Sequence, residues 1–242
     1  RPTGAPGVDA AADAGPGAHD AGTAAAVGAP GATRAQADAT GDAASAAMGR
    51  VPTATIPAPT RPPPARVVGI LPGHWQFDSG AVCPDGLTEV DITTDVALRV
   101  EALLEYRGFE VRLLPEHQPG VPQPPLQGFR GAALVAIHAD SCDVTGASGF
   151  KVASGLYSTT PEQDRALVDC LEREYAAATL MSRHDDSITV DMRNYYAFRE
   201  LDAVTPAAII ELGFMDADRD ALDRLRYEMA LGIANAVSCF RR

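Results

Sequence analysis

Three short apolar runs set the fold that this chain can adopt. They span Arg66–Leu71, Ala132–Ile137 and Pro206–Ile210. Runs of this kind are typical of strands buried on both faces, as in parallel sheets. Segments with helical periodicity separate them, and strands that alternate with helices build α/β domains. We therefore predict a single α/β domain with a mostly parallel central sheet that is flanked by helices on both faces.

Helix signals fill the gaps between these strands. From Thr88 onward apolar residues recur at helical spacing, Thr88 and Asp91 resemble a capping box, and Gly108 is placed to end the helix. Pro161 begins another predicted helix. The last predicted helix carries one apolar face, formed by Leu222, Leu225, Met229, Ile233 and Val237. Two further strands are predicted, at Phe109–Leu114 and Gly149–Ala153.

Residues 1–65 differ in composition from the rest of the chain. They contain no Phe, Tyr or Trp, and alanine supplies about a third of the first sixty positions. A segment with so little bulky apolar surface cannot offset the entropy lost on ordering. We therefore predict a disordered low-complexity tail or linker at 1–65 and a folded domain at 66–242. The tail is either a tether that lets the domain reach a large substrate or a connection without a further role.

The charge of the chain argues against one class of partner. The formal net charge is −12 and the pI is about 4.7. Such a chain repels a phosphate backbone, so nucleic acid is not an expected partner. No apolar run approaches the roughly 18 residues that a membrane span needs. The chain starts at Arg1 rather than Met, which is consistent with a processed product whose secretory signal has been removed.

Four cysteines leave two interpretations open. They show no C-x-x-C spacing, which argues against a structural zinc ribbon. Two disulfides are possible in an exported chain, and four free thiols are the alternative. Among the pairings we favour Cys83 with Cys142, because each follows a candidate ligand histidine in a loop. Cys170 would then pair with Cys239 and join two helices.

Four residues with metal-site chemistry fall at one predicted edge of the sheet. His74, His138 and Glu211 each follow an apolar run, and Glu89 lies at the start of the first helix. In open α/β sheets, sites form at the carboxyl ends of the strands. Two imidazoles and one carboxylate make a catalytic zinc set with a coordination position left for water. The remaining carboxylate would take a proton from that water and pass it to a leaving group.

Each of these residues also has an ordinary structural interpretation. A single histidine after a strand, such as His74, is more often a surface or hydrogen-bonded residue. Glu89 near a helix start is more often a dipole-stabilising cap than a ligand. Glu211 and His138 are harder to explain in this way, because polar groups beside a buried strand are costly unless they are used. The four together are a much stronger signal than any one of them.

Other catalytic chemistries have less support. The sequence has no G-x-S-x-G, no P-loop and no G-x-G-x-x-G motif. Cys142 is four residues from His138, which keeps a thiol mechanism open. We assign no ligand role to the other histidines, His19, His117 and His184, and we expect His184 at the surface.

The order of these motifs resembles a known enzyme family. The elements are Pro-Gly-His74, Thr-Glu89, Ala-Ile-His138-Ala-Asp and Ile-Ile-Glu211-Leu-Gly-Phe. They are similar to the zinc-dependent N-acetylmuramoyl-L-alanine amidases of the amidase type 3 family, and the similarity spans essentially all of residues 66–240. The motifs are specific in combination. Residues 1–65 have no counterpart in the family.

The resemblance implies an activity and a role for each site residue. It implies hydrolysis of the amide between N-acetylmuramic acid and L-alanine of peptidoglycan, so that 66–242 is a catalytic zinc amidase domain. His74, Glu89 and His138 look like the ligands of one Zn²⁺ per domain, and Glu211 looks like the catalytic glutamate. The expected partner is peptidoglycan, the expected location is extracytoplasmic (periplasm, cell wall or secreted), and we expect a monomer.

The chain departs from the family pattern near the site, and other functions remain open. Trp75 and Gln76 replace the Gly-Gly that commonly follows the first histidine. No long insertion is evident between His138 and Glu211, which predicts an open cleft rather than a partner-gated one. The alternatives to the amidase are a non-catalytic peptidoglycan-binding module of the same fold and a zinc peptidase that acts on stem peptides.

Overall fold

The structure is a computed structural model that describes residues 66–117 and 126–242. The described part contains one five-stranded sheet with the order β2-β1-β3-β5-β4. The strands are β1 (Val67–Pro72), β2 (Glu110–Leu113), β3 (Ala133–Asp140), β4 (Lys151–Ala153) and β5 (Ala207–Phe214). β1 pairs in parallel with β2 and β3, β3 pairs in parallel with β5, and only β4 is antiparallel to its neighbour. The predicted mostly parallel sheet is confirmed.

The predicted signals for both ends of the first helix and for the start of the second helix, at Pro161, are confirmed. The Thr88 hydroxyl accepts a hydrogen bond from the Asp91 N–H and donates one to the Asp91 carboxylate, and Gly108 takes a φ of 81° just beyond the helix end. A short 3-10 turn lies at Asp185–Ser187. The helices of the described residues are α1 (Glu89–Tyr106), α2 (Pro161–Thr179), α3 (Val190–Arg193), α4 (Ala197–Glu200), α5 (Arg219–Arg224) and α6 (Arg226–Phe240).

Long helices pack on one face of the sheet, and short helices pack on the other. Apolar residues of α1, α2 and α6 pack in one core cluster with strand residues such as Val135 and Ile137. The opposite face, which includes Leu134 and Ala136, packs against the much shorter helices α3 and α4. Side chains alternate along a strand, so His138 follows Leu134 and Ala136 onto the face of α3 and α4. The candidate site therefore lies on the face with the thinner helical cover.

Three sequence predictions need correction. The last predicted helix is broken at Leu225, because residues 219–224 and 226–240 form separate helices. β3 and β5 are longer than predicted, so His138 and Glu211 lie inside strands and not after them. The carboxyl end of β3 continues to pair with β5, with a register shift between His138 and Asp140. The predicted tail at 1–65 lies outside the described residues, as do residues 118–125, a proline-rich stretch that follows β2.

Both favoured disulfides are present. Cys83 is bonded to Cys142 and Cys170 to Cys239, with Cα–Cα distances of 5.7 and 6.0 Å. The first bond joins the loops that follow β1 and β3, and the second joins α2 to α6. Disulfides are typical of proteins that fold in an oxidising compartment. Among the described residues, no helix has the length and apolar character required to cross a membrane.

Removing either disulfide should cost similar stability. The bonded cysteines are 59 and 69 residues apart. Loop-closure entropy then gives about 4 kcal/mol for each bond, with a difference of less than about 0.5 kcal/mol between them. We expect Cys83→Ser with Cys142→Ser, and separately Cys170→Ser with Cys239→Ser, to lower the free energy of unfolding by about this amount. Urea unfolding followed by circular dichroism measures it, and unchanged stability in either pair would contradict the entropic account.

Candidate metal centre

The loop after β1 is fitted closely around two histidines. The Gly73 N–H donates to the Ile137 carbonyl over 2.8 Å and ties the loop to β3. A Cβ on Gly73 would lie 2.5 Å from the His138 ring, and one on Gly80 would lie 2.6 Å from the His74 ring. His74 itself has a φ of 66°. This left-handed conformation costs about 1–2 kcal/mol in a residue with a Cβ, and such strain concentrates at functional sites.

Glu89, the first residue of α1, lies between the two imidazoles. Its side chain is buried, with 6% of the residue exposed. One carboxylate oxygen is 3.1 Å from His74 Nε2, and the other is 3.0 Å from His138 Nδ1. The N–H groups of Ala81 and Ala139 donate to the same two oxygens. Each carboxylate oxygen is thus held by a backbone N–H group and faces one of the two rings.

The three side chains form a donor set that fits zinc. One ligand atom from each of His74, Glu89 and His138 lies within 4.8 Å of the others. Two imidazoles and one carboxylate are the ligands of a catalytic zinc site. The other nitrogen of a ligating histidine usually bonds to an oxygen that fixes the ring. Here His74 Nδ1 is 2.6 Å from an Asp78 carboxylate oxygen, and His138 Nε2 is 3.4 Å from the Tyr195 hydroxyl.

The electrostatics of this cluster favour added positive charge. Burial disfavours the charged form of His74, but the hydrogen bond and charge of Glu89, helped by Glu116 and Asp78, raise its pKa to about 9. The pKa of His138 is raised as well, because Glu89, Glu211 and Glu116 outweigh the effect of burial. Burial opposes ionisation of Glu89, yet the two imidazoles hold its pKa well below the usual range. The cluster is therefore suited to a bound cation.

Glu211 lies beside this cluster on the next strand. In the β3–β5 register it is paired with His138, so both side chains leave the same face of the sheet at the same level. The side chain is partly exposed. Burial and the charges of Glu89 and Asp140 raise the pKa of Glu211 to about 7 against the opposing effects of His138 and Lys151. Within residues 66–117 and 126–242, no side chain is hydrogen-bonded to its carboxylate, so it is free to accept a proton.

Two further residues of the centre were not predicted. Glu116, which is 8% exposed, accepts hydrogen bonds from the His74 N–H and, over 2.7 Å, from the Tyr195 hydroxyl. Glu116 follows β2, whose carboxyl end lies at the same sheet edge as His74, and this position was a usable signal. Tyr195 lies between α3 and α4, in a segment whose pattern is too short to assign from sequence.

The remaining candidates lie outside the cluster of possible ligands. His117 is buried, and its Nε2 is 2.9 Å from a Glu200 carboxylate oxygen. His184 is only partly exposed, and its ring packs edge-on against Phe214 at 5.2 Å. The thiol mechanism considered for Cys142 is wrong, because its sulfur is bonded to Cys83. Trp75 borders the centre, and its carbonyl accepts a hydrogen bond from the Glu116 N–H.

Comparisons with known proteins agree with this arrangement. The profile of the family described as N-acetylmuramoyl-L-alanine amidase matches residues 68–239. A comparison with curated proteins gave no match. Among solved structures, the AmiC2 amidase of Nostoc punctiforme is 23% identical with a TM-score of 0.55, over 73% of this chain and 97% of that one. Ami1 of Mycobacterium smegmatis is 20% identical with a TM-score of 0.55, over 75% and 99%.

A third solved structure has the same fold. The CwlD amidase of Clostridioides difficile, solved with the GerS lipoprotein, is 18% identical with a TM-score of 0.56, over 72% of this chain and 98% of that one. At these identities the structural matches establish the fold, while the family profile covers well over half of the sequence. The chain therefore belongs to the N-acetylmuramoyl-L-alanine amidases, the enzymes that hydrolyse the amide bond between N-acetylmuramic acid and L-alanine in peptidoglycan.

Proposed function

We propose that this amidase is zinc-dependent, with one ion held by His74, Glu89 and His138 and with Glu211 as the catalytic acid and base. The observation that carries the proposal is the cluster of three donor atoms within 4.8 Å of one another. Glu211 is paired in register with His138, beside that cluster, and no hydrogen bond from a described side chain occupies its carboxylate. The chemistry and the geometry support the same four residues.

In this proposal Glu211 carries out both proton transfers of the reaction. Zinc, when bound, supplies a Lewis acid that polarises the scissile carbonyl and makes water more acidic. Glu211 takes a proton from the attacking water, and the oxygen of that water bonds to the lactyl carbonyl carbon. It then gives that proton to the alanine nitrogen as the C–N bond breaks. The products are a lactyl carboxylate and a stem peptide with a free amino terminus.

Hydrogen bonds behind the ligands hold the two imidazoles in place. We propose that Asp78 fixes the His74 ring, because its carboxylate lies 2.6 Å from Nδ1. Tyr195 does the same for His138, and the Tyr195 hydroxyl is itself fixed by donating to Glu116. Partners of this kind set which ring nitrogen carries the proton and strengthen the other nitrogen as a ligand.

The remaining features suit an enzyme that works on the cell wall. We propose that 66–242 is the catalytic domain and that 1–65 is a tail or linker that tethers it. The two disulfides support an extracytoplasmic location. One chain supplies all four site residues, which supports a monomer.

Product analysis tests the reaction. Zinc-loaded protein incubated with purified peptidoglycan should release peptides that begin with a free L-alanine amino group, and the glycan should keep lactyl carboxylates. Mass spectrometry of the digest identifies both ends. Cleavage only within the stem peptide would instead identify a peptidase, and binding to the wall without any release would identify a binding module.

A further inference from the structure

Three adjoining surface cavities lead away from the metal centre. The first is lined by His74, Tyr195 and Arg199, and also by the acidic residues Glu116 and Asp191. The second shares Tyr195 and Arg199 with it and adds Arg193 and Leu156. The third shares Arg193 and Leu156 and adds Arg165. Neighbouring cavities share lining residues, and the series, here called the arginine path, runs from His74 past Arg199 and Arg193 to Arg165.

The arginines of this path lack acidic partners. Across the described part of the chain, no ion pair joins Arg165, Arg193 or Arg199 to a carboxylate, whereas arginines such as Arg183, Arg219 and Arg226 each contact two. Arg199 is held by the carbonyl and the side-chain oxygen of Asn194, which are both neutral acceptors. The chain has 32 acidic and 20 basic side chains. Three unpaired arginines in series are therefore available to bind an anion.

We infer that the arginine path binds the carboxylates of the stem peptide, an inference that rests on the function proposed above. The scissile amide joins a glycan to a peptide, so each must leave the metal centre in its own direction. The peptide is the part that carries free carboxylates, and arginine binds a carboxylate through two parallel hydrogen bonds. Leu156 and Tyr157 are exposed beside the arginines and offer apolar contact to the peptide backbone and side chains.

The order of the arginines gives the order of the carboxylates that they bind. Arg199 lines the same cavity as His74, so it binds the carboxylate nearest the scissile bond. Arg193 and Arg165 lie in the later cavities and meet carboxylates further along the stem.

A matched pair of substrates tests this assignment. Each is a soluble muramyl peptide, and they differ only in whether the second residue of the peptide carries a free carboxylate or its carboxamide. We expect wild-type protein to favour the carboxylate by about tenfold in kcat/KM, the size of one charge-assisted hydrogen-bonded contact. In Arg199→Gln the ratio should fall to about one. The control Arg224→Gln removes an exposed arginine outside the path, and its ratio should match that of wild type.

Further variants distinguish failure of the inference from a folding defect and from failure of the proposed function. Arg193 has no ion pair to lose, so Arg193→Glu should fold normally and weaken binding of a stem with a distal carboxylate. If both arginine variants keep their turnover, and if their substrate ratio and peptide affinity equal those of wild type, the inference is overturned. The proposed function is not affected by that result. If wild-type protein cleaves neither substrate and also releases no peptide from purified peptidoglycan, the proposed function fails. The affinities of the two peptides for Glu211→Gln, measured by calorimetry, then test the inference. Equal affinities would overturn it.

Discussion

Glu211→Gln should lower turnover by about a thousandfold and leave the metal content unchanged. General acid–base catalysis contributes about 10²–10⁴-fold, and here one carboxylate both removes and returns the proton. The amide has the size of the carboxylate but cannot take the proton. Glu211 has no hydrogen bond from a described side chain to lose. The initial rate of peptide release, measured alongside elemental analysis for zinc, gives both quantities.

A neighbouring carboxylate provides the control for Glu211. Asp216 is exposed and follows the end of β5, so Asp216→Asn changes the same charge close to the same strand. This control should keep wild-type activity. A Glu211→Gln protein that retained more than about a tenth of the wild-type rate would remove Glu211 from the mechanism.

Glu89→Gln should abolish turnover through loss of the metal. Glu89 faces both imidazoles and supplies the only carboxylate of the three-residue donor cluster found among the described residues. Loss of a partner behind a ligand typically costs about 10–100-fold in metal affinity, so loss of a ligand should cost more than this. Zinc affinity from competition with a fluorescent chelator, combined with peptide release, measures the effect.

The fold of the variant must be checked separately, because Glu89 also accepts hydrogen bonds from Ala81 and Ala139. Near-ultraviolet circular dichroism of the metal-free proteins makes that comparison. Glu105→Gln, an exposed change on the same helix, is the matched control and should bind zinc as wild type does. A Glu89→Gln protein that bound zinc with wild-type affinity would contradict the proposed ligand set.

The sheet and the proximity of His74, Glu89, His138 and Glu211 could be predicted because each signal is local. An apolar run such as Ala132–Ile137 identifies a buried strand without knowledge of its neighbours. Parallel strands then bring their carboxyl ends to one edge, so His138 and Glu211 were expected to meet even though 72 residues lie between them in the sequence. The pairing of these two residues in adjacent strands is what that argument required.

The residues that were missed take their roles from contacts between segments that are distant in sequence. Glu116 lies next to a proline-rich connection, and its importance comes from two partners, His74 and Tyr195, that are distant in sequence. The break at Leu225 separates α5 from α6 although the apolar spacing continues through it. Periodicity identifies the buried face of a helix but does not show whether the backbone hydrogen bonds run unbroken.

The most direct test of the zinc site is a titration of metal-free wild-type protein, with peptide release measured at each zinc addition. If His74, Glu89 and His138 hold one catalytic ion, activity should rise linearly from zero and stop rising at one zinc per chain. Native mass spectrometry of the same samples should show one bound ion, and none in Glu89→Gln at equal zinc. Full activity in the metal-free protein would contradict the account.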